Sequence, residues 1–403
     1  MTFDFNAELH ARPSIYFAGP AFIEHIALMP EEYPIPTCAH RFVEEGAATD
    51  GDVRTQIEFH TEFVTVTRVT RLAEEPQIWP AATLTAHAAS ALAALNGARA
   101  ICRTSILVCG PAPDGLDQVL SRLGFADTAA SAVGGGSAQA CSDFRVAADG
   151  SSRVILFNKD LNAYRLGRMV RRLYEIETYR SMALLALPEA RRLAPLLSDY
   201  DANLMDLTNR NLTTPSTRHK ELMDEISQLS AHAISAAAGT RNRFGATAAY
   251  AKIVEDRIGE LRETHVPGFQ RYGVFIVRRF RPAIRTCEAT ALRLERLSNA
   301  TTHMIDLLQT RIQVEIEYQN ATQIQAMAER AATQVKIQRA VEGLSIIAIS
   351  YYLLGLLKIA FEAADHAGYH VSSIVMLVSI PIVIGAVSIA ILRVRHAIQS
   401  SDR

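Results

Sequence analysis

The stretch VEGLSIIAISYYLLGLLKIAF, residues 341–361, decides the architecture that the sequence predicts. Lys358 is the one basic residue in its apolar part, and residues 371–392 form a second apolar stretch without any charge. A helix needs roughly 20 apolar residues to cross a bilayer, because each residue adds about 1.5 Å. The sequence therefore predicts transmembrane helices over 341–361 and 371–392, joined by a short outer loop at 362–370.

The basic residues predict how this hairpin is oriented. Arginines and lysines precede the first span and follow the second, whereas the loop carries Glu362 and Asp365 and no Lys or Arg. Because basic residues stay on the cytoplasmic side, we expect both termini in the cytoplasm, with 393–403 as a cytosolic tail. Lys358 lies near the outer end of its span, and we expect it to reach the interface rather than to serve ion passage.

Small and polar residues recur on one face of the first span, at Ser345, Ala348, Tyr352 and Gly355. Such residues let helices approach closely in lipid, where the hydrophobic effect does not favour contact between helices. The pattern predicts a helix-packing face and leaves a pore lining open as the alternative. Glu362 and Asp365 would then form an acidic outer mouth.

A long stalk helix is predicted before the membrane. Residues 282–340 contain no glycine, and no proline follows Pro282. Beyond Ile316 the apolar spacing weakens, and an isolated polar helix is poorly stabilised in water. The stalk therefore needs neighbours, as in a coiled coil, and we expect a homo-oligomer whose subunit number the irregular pattern does not define.

The rest of the chain divides by composition into a mixed domain, 1–158, and a helical domain, 159–281. The mixed domain has β-branched and apolar runs of strand type between two helical stretches. The helical domain has amphipathic runs broken at prolines and glycines. Predicted strands are 53–69, 103–108, 138–147 and 152–158; predicted helices are 81–96, 115–124, 160–193, 218–237 and 241–264, with turns at 134–136, 149–150 and Gly239 and a loop at 208–217.

Four polar residues in predicted strands form a candidate site. His60 and Glu62 alternate on one strand, and Asp143 and Arg145 alternate on another. If the strands pair, these residues could form an acid–base or metal site. A salt-bridged network or a solvated sheet face is the interpretation we favour, because metal-ligand spacing is absent. Glu8, His10 and Arg12, in the N-terminal segment ELHARP, are a further candidate for ligand contact or for pinning that segment to the domain.

Two arginine clusters offer a choice between anion binding and ion pairing. We favour ion pairs with Glu175, Glu177 and the acidic helix 254–263 over phosphate or lipid head groups. The clusters consist of Arg165, Arg168, Arg171 and Arg172, and of Arg278, Arg279, Arg281 and Arg285.

Composition excludes several functional classes. Lys and Arg together number 41 and Asp and Glu 42, so the chain has no excess of positive charge that would favour nucleic acid as a partner. The five cysteines form no CxxC pair, which predicts reduced thiols without a disulfide framework. The sequence has no catalytic motif that indicates a particular enzyme reaction, and no motif that predicts a cofactor. Binding of a divalent cation is left as an alternative. Membrane lipid and further copies of the chain are the expected partners.

Several strings together resemble an uncharacterised bacterial family of membrane-anchored proteins, defined as a domain of unknown function. They are ELHARP (8–13), HTEF (60–63), DFR (143–145), IETYRSMALLALP (176–188) and RAVEGLSIIAISYYLLGL (339–356). The resemblance runs the whole length and implies a bacterial origin and membrane anchoring. We therefore expect the protein in the bacterial inner (cytoplasmic) membrane. It implies no activity, and therefore no functional residues.

The predicted architecture is also similar to that of the CorA-type magnesium and cobalt transporters. That resemblance implies a pentamer in which long helices form a funnel and the first span lines the pore. The Gly-Met-Asn signature expected after the first span is replaced here by EAADHAGYH, residues 362–370. Three functions follow in order: a CorA-like cation channel or transporter, a non-conducting anchor for a cytosolic sensor or scaffold, and a membrane-tethered enzyme.

Overall fold

The computed structural model describes residues 14–31, 41–44, 53–95, 97–366 and 372–401. The chain divides into two compact units, Met1–Asp306 and Leu307–Arg403. The first contains a mixed sheet with helices, and the C-terminal part contains two helical segments that are long and apolar enough to cross a membrane. The predicted fold class is thereby confirmed. The ELHARP segment lies outside the described residues.

The first unit is built on one sheet of nine strands in the order β2-β3-β4-β1-β5-β8-β7-β6-β9. Strands β5 and β8 are parallel, and the other described neighbours are antiparallel. The strands are β1 Ala21–Pro30, β2 Arg41–Glu44, β3 Val53–Phe59, β4 Val64–Arg71, β5 Ala98–Cys109, β6 Ala129–Val133, β7 Ala138–Ser142, β8 Ser152–Asn158 and β9 Thr264–His265.

The two predicted glycine turns are both confirmed. Gly134, Gly135 and Gly136 join β6 to β7 with φ values of 66°, 74° and 88°, a region that side chains with a Cβ rarely adopt. Gly150, with φ 79°, follows Asp149 in the turn between β7 and β8. These turns fold the sequence back on itself and set the antiparallel register on this side of the sheet.

The helices are α1 to α7 in chain order, and their spacing of apolar residues explains where they pack. Leu173 of α3, Val254 of α5 and Ile276 of α6 are fully or almost fully buried in one core with Ile106 and Leu156 of the sheet. The helices that follow residue 158 and the sheet that precedes it therefore share one hydrophobic core. The bounds are α1 Ala86–Leu92, α2 Leu116–Arg122, α3 Ala163–Leu184, α4 Leu187–Thr213, α5 His219–Glu260, α6 Tyr272–His366 and α7 Ser373–Ser401.

Several predicted helix boundaries differ from the structure. Helix α4 continues to Thr213, into the predicted loop at 208–217. Helix α5 passes through Gly239 without a break, so the prediction of two helices was wrong. A glycine inside a helix costs about 1 kcal/mol relative to alanine. Ala233 and Phe244, buried on either side of Gly239, hold the helix together.

Helix α6 begins at Tyr272 rather than at Pro282, and the proline lies inside it. The buried side chains of Ile276 and Phe280 stabilise the turns before the proline. Glu263 fixes the helix start, because its Oε2 accepts hydrogen bonds from the Gly273 N–H at 2.8 Å and from the Ser131 hydroxyl at 2.9 Å. The first turn of α6 is thereby bound to strand β6.

Candidate functional site

A band of polar side chains is buried where strands β1, β3 and β4 meet helix α3. His25 lies at its centre and is 2 % exposed. Its Nδ1 is 2.7 Å from the Thr67 hydroxyl, its Nε2 is 2.9 Å from the Thr178 hydroxyl, and its ring stacks on Tyr174. Burial and, to a smaller extent, the nearby charges of Arg171 and His60 lower the pKa of His25 to about 3. The imidazole is therefore neutral at physiological pH.

A network of ion pairs adjoins this band and joins α3 to the sheet and to α5. Arg171 donates to both Glu58 oxygens, at 2.9 and 3.0 Å, and to Glu175 at 2.7 Å. Arg257 of α5 donates to the other Glu175 oxygen at 2.5 Å and to Glu260 at 2.7 Å. Because the Glu58 and Glu175 carboxylates are both bound to arginine, neither is available as a free base. The arrangement supports packing of α3 rather than proton transfer.

The ion-pair interpretation of the arginine clusters is confirmed for three members. Arg171 pairs with Glu175, Arg172 with Glu260 and Arg281 with Glu255. Glu58 was missed as a partner, because it lies 113 residues from Arg171 in the chain. Its one sequence signal is a carboxylate between two apolar residues, Ile57 and Phe59, at the end of β3.

The structure corrects the position of His60 and Glu62. Strand β3 ends at Phe59, and both residues lie in the connection to β4 instead of on a strand face. The His60 ring stacks on Phe63, and its Nε2 is 3.7 Å from Glu58. Glu62 pairs with Arg243 at 3.0 Å and so contacts helix α5.

Asp143 and Arg145 also lie beyond their predicted strand, because β7 ends at Ser142. The Asp143 carboxylate accepts the backbone N–H groups of Arg145 at 3.1 Å and of Ala126 at 3.3 Å, which shapes the chain after the strand. Strand β7 is four places from β4 in the sheet, roughly 19 Å at about 4.8 Å per strand. The structure therefore does not bring this pair together with His60 and Glu62. Among the described residues, no group of three or more His, Cys, Asp or Glu could hold a metal.

The second unit contains the small and polar face predicted on the first apolar segment. Its buried residues include Ser350 of α6 and Val383 and Val387 of α7, which mark where the two helices face each other. Tyr352 is 72 % exposed, and a Cβ at Gly355 would meet nothing within 4 Å. Both residues also line a cavity together with Met376, Ser379 and Ile380 of α7. Part of the predicted face therefore lies beside α7.

The predicted acidic residues lie at the exposed end of α6. Glu362 is 3.8 Å from the Lys358 ammonium, one helical turn away, and Asp365 lies in the last turn before His366. Lys358 thus pairs with one of the two acids. Residues 367–370, the remainder of the predicted loop, lie outside the part of the chain that the structure describes.

These features define a protein with a mixed α/β body and a long helix that continues into an apolar helical pair. Residues 3–398 match the family model described as Protein of unknown function (DUF3422), and the chain belongs to this family. Comparisons with curated proteins and with solved structures returned no match.

Proposed function

We propose that this protein is a homo-oligomeric membrane protein whose α6 helices associate along the stalk and continue into the bilayer. One observation carries the proposal: every residue from 316 to 341 is exposed, over roughly 39 Å of helix at about 1.5 Å per residue. A helix of that length with no packed face gains little stability from propensity alone. Further copies of the chain would supply the missing neighbours.

The exposed stalk has a seam suited to such contacts. Apolar residues follow one another at alternating intervals of three and four, the spacing of a coiled-coil interface. Three of them are alanines, which would let two helices approach closely. The seam consists of Ala321, Ile324, Ala328, Ala331 and Val335, and residues on the opposite side include Gln319, Thr322 and Thr333.

In such an oligomer, the exposed part of the face of Ser345, Ala348, Tyr352 and Gly355 would meet other subunits or a central path. We propose that this path conducts a cation, by analogy with the CorA-like architecture expected from the sequence. The apolar segments would span the bacterial inner membrane with both termini in the cytoplasm. Glu362 and Asp365 would concentrate cations at the outer end.

A non-conducting anchor for a cytosolic sensor or scaffold is the second candidate. The contact between Lys358 and Glu362 favours it, because a paired carboxylate attracts a passing cation less strongly. In that case the face that contains Tyr352 would pack against other subunits without a water-filled path. A membrane-tethered enzyme has less support, because His60, Glu62, Asp143 and Arg145 do not converge.

Cation flux into liposomes that contain the purified protein tests the conducting proposal. We expect Tyr352→Ala to change Mg²⁺ influx at least threefold, because that side chain would face the path. Tyr351→Ala is the matched control, since Tyr351 has a similar exposure of 74 % and lies about 100° away on the helix. Liposomes with an intact oligomer and no flux above protein-free vesicles would favour the anchor.

A further inference from the structure

A small pocket in the first unit lies between the end of α3, the segment after β7 and the first turns of α6. Its volume is about 60 Å³, roughly that of two water molecules at ~30 Å³ each. A space of that size suits a small ligand. Its lining includes Phe144, Arg180, Leu184, Phe275, Arg279 and Phe280.

The two arginines give the pocket its charge. The Arg279 guanidinium lies 3.7 Å from the centre of the Phe275 ring, and no carboxylate pairs with it among the described residues. Arg180 donates to Glu177 at 2.5 Å, but its Nε is buried without a partner in the described structure. One arginine is thus neutralised by a carboxylate and the other is not, which leaves a net positive charge at the pocket.

Further buried polar atoms near Arg180 lack partners. Glu177 is 1 % exposed and its Oε1 accepts no hydrogen bond within the described chain; the fully buried Tyr272 hydroxyl likewise has none. Buried polar atoms are nearly always satisfied in folded proteins, by protein groups, water or a ligand. Glu177 and Arg180 are also close enough to Tyr272 to influence its pKa, which burial raises well above its usual value.

The aromatic wall of the pocket is held in an uncommon backbone conformation. Phe144 has φ 55°, which is rare for a bulky residue. The Ser142 hydroxyl accepts the Phe144 N–H at 3.0 Å, and the Phe144 ring stacks on Phe275. The hydrogen bond and the ring stacking keep Phe144 against Phe275, the ring over which Arg279 lies.

We propose that this pocket binds a small oxyanion, a carboxylate or a phosphate, between Arg180 and Arg279. The guanidinium groups would supply charge-assisted hydrogen bonds, the strongest class available to such a ligand. Because Phe275 and Arg279 belong to the first turns of α6, the bound anion would join that helix to α3. The proposal is independent of the oligomeric state and of ion conduction.

Calorimetric titration of the full-length chain in detergent tests the site. Sodium phosphate and sodium acetate are the probes, each measured against sodium chloride at equal ionic strength, and they separate the two anion classes. We expect saturable binding of at least one probe, weakened at least tenfold by Arg279→Gln. Arg278→Gln changes the adjacent arginine, which is also exposed but does not line the pocket; it is the matched control and should leave the affinity unchanged.

Leu184→Phe keeps both arginines and fills the pocket, so it should also abolish binding. If Arg279→Gln proves unstable, Leu184→Phe tests whether the anion binds in this pocket. Thermal unfolding of each variant without ligand identifies such instability. Absence of saturable binding of both probes, or equal affinity in wild type and Leu184→Phe, would overturn the proposal.

Discussion

Both terminal nitrogens of Arg171 donate to the Glu58 carboxylate, at 2.9 and 3.0 Å, and so join helix α3 to strand β3. The same guanidinium donates its Nε–H to Glu175. Side-chain exposures of 13 % for Arg171 and 6 % for Glu58 mean that water replaces these bonds poorly if one partner is removed.

Arg171→Ala should therefore destabilise the first unit by about 3 kcal/mol, because it leaves two buried carboxylates without their shared partner. Urea unfolding followed by fluorescence provides the measurement. Trp79, the single tryptophan, reports on this unit through its contacts with Phe22 and Phe125. Arg192→Ala, which removes an exposed pair with Glu189, is the control and should leave the midpoint unchanged. Equal midpoints for Arg171→Ala and wild type would contradict the structural role of the network.

The buried neutral His25 predicts a loss of stability in acid. Its pKa is about 3 in the folded protein and near 6.5 when unfolded, so below pH 6.5 the unfolded chain binds a proton that the folded chain excludes. Stability from this residue is present above pH 6.5 and falls as the pH decreases toward 3. At pH 5 the loss is about 2 kcal/mol.

His25→Gln should remove this pH-dependent part of the unfolding free energy. We expect the unfolding free energy of the wild type to fall about 2 kcal/mol more than that of the variant between pH 7 and pH 5. The difference between the two chains isolates His25 from other titrating groups. Parallel pH profiles would show that His25 takes up a proton in the folded state.

Two glycines in helices should respond oppositely to the same substitution. A Cβ at Gly167 of α3 would collide with the backbone carbonyl of Ile15, whereas a Cβ at Gly239 of α5 meets nothing within 4 Å. Gly167→Ala should lower the thermal unfolding midpoint by several degrees, because the segment from Ser14 to Phe17 must move. Gly239→Ala should raise it, since alanine favours a helix by up to about 1 kcal/mol. A gain in stability from Gly167→Ala would refute the close contact.

Local patterns predicted much of this fold, because they depend on neighbours in the chain. The apolar segments, the strand composition and the turns at 134–136 and 149–150 all follow from short-range chemistry. Gly239 and Pro282 misled the prediction, since burial of neighbouring residues outweighs a helix cost of about 1 kcal/mol for glycine and about 3 kcal/mol for proline.

The candidate site depended instead on long-range pairing, which the sequence does not encode locally. His60 and Glu62 alternate as they would on a strand, but the chain turns there without a glycine or proline as a signal. The sheet order separates them from Asp143 and Arg145, and the partners of Glu62 and Glu58 lie more than a hundred residues away.

The central claim is that several copies of α6 associate along the seam, and the mass of the detergent-purified particle tests it most directly. Light scattering corrected for detergent should give a multiple of the 44.2 kDa chain, near five copies if the assembly is CorA-like. Ala328→Glu brings a charge into the seam and should reduce that mass. Ala326→Glu, on the opposite face, should not. A wild-type particle with the mass of one chain, or equal masses for the two variants, would contradict association through this seam.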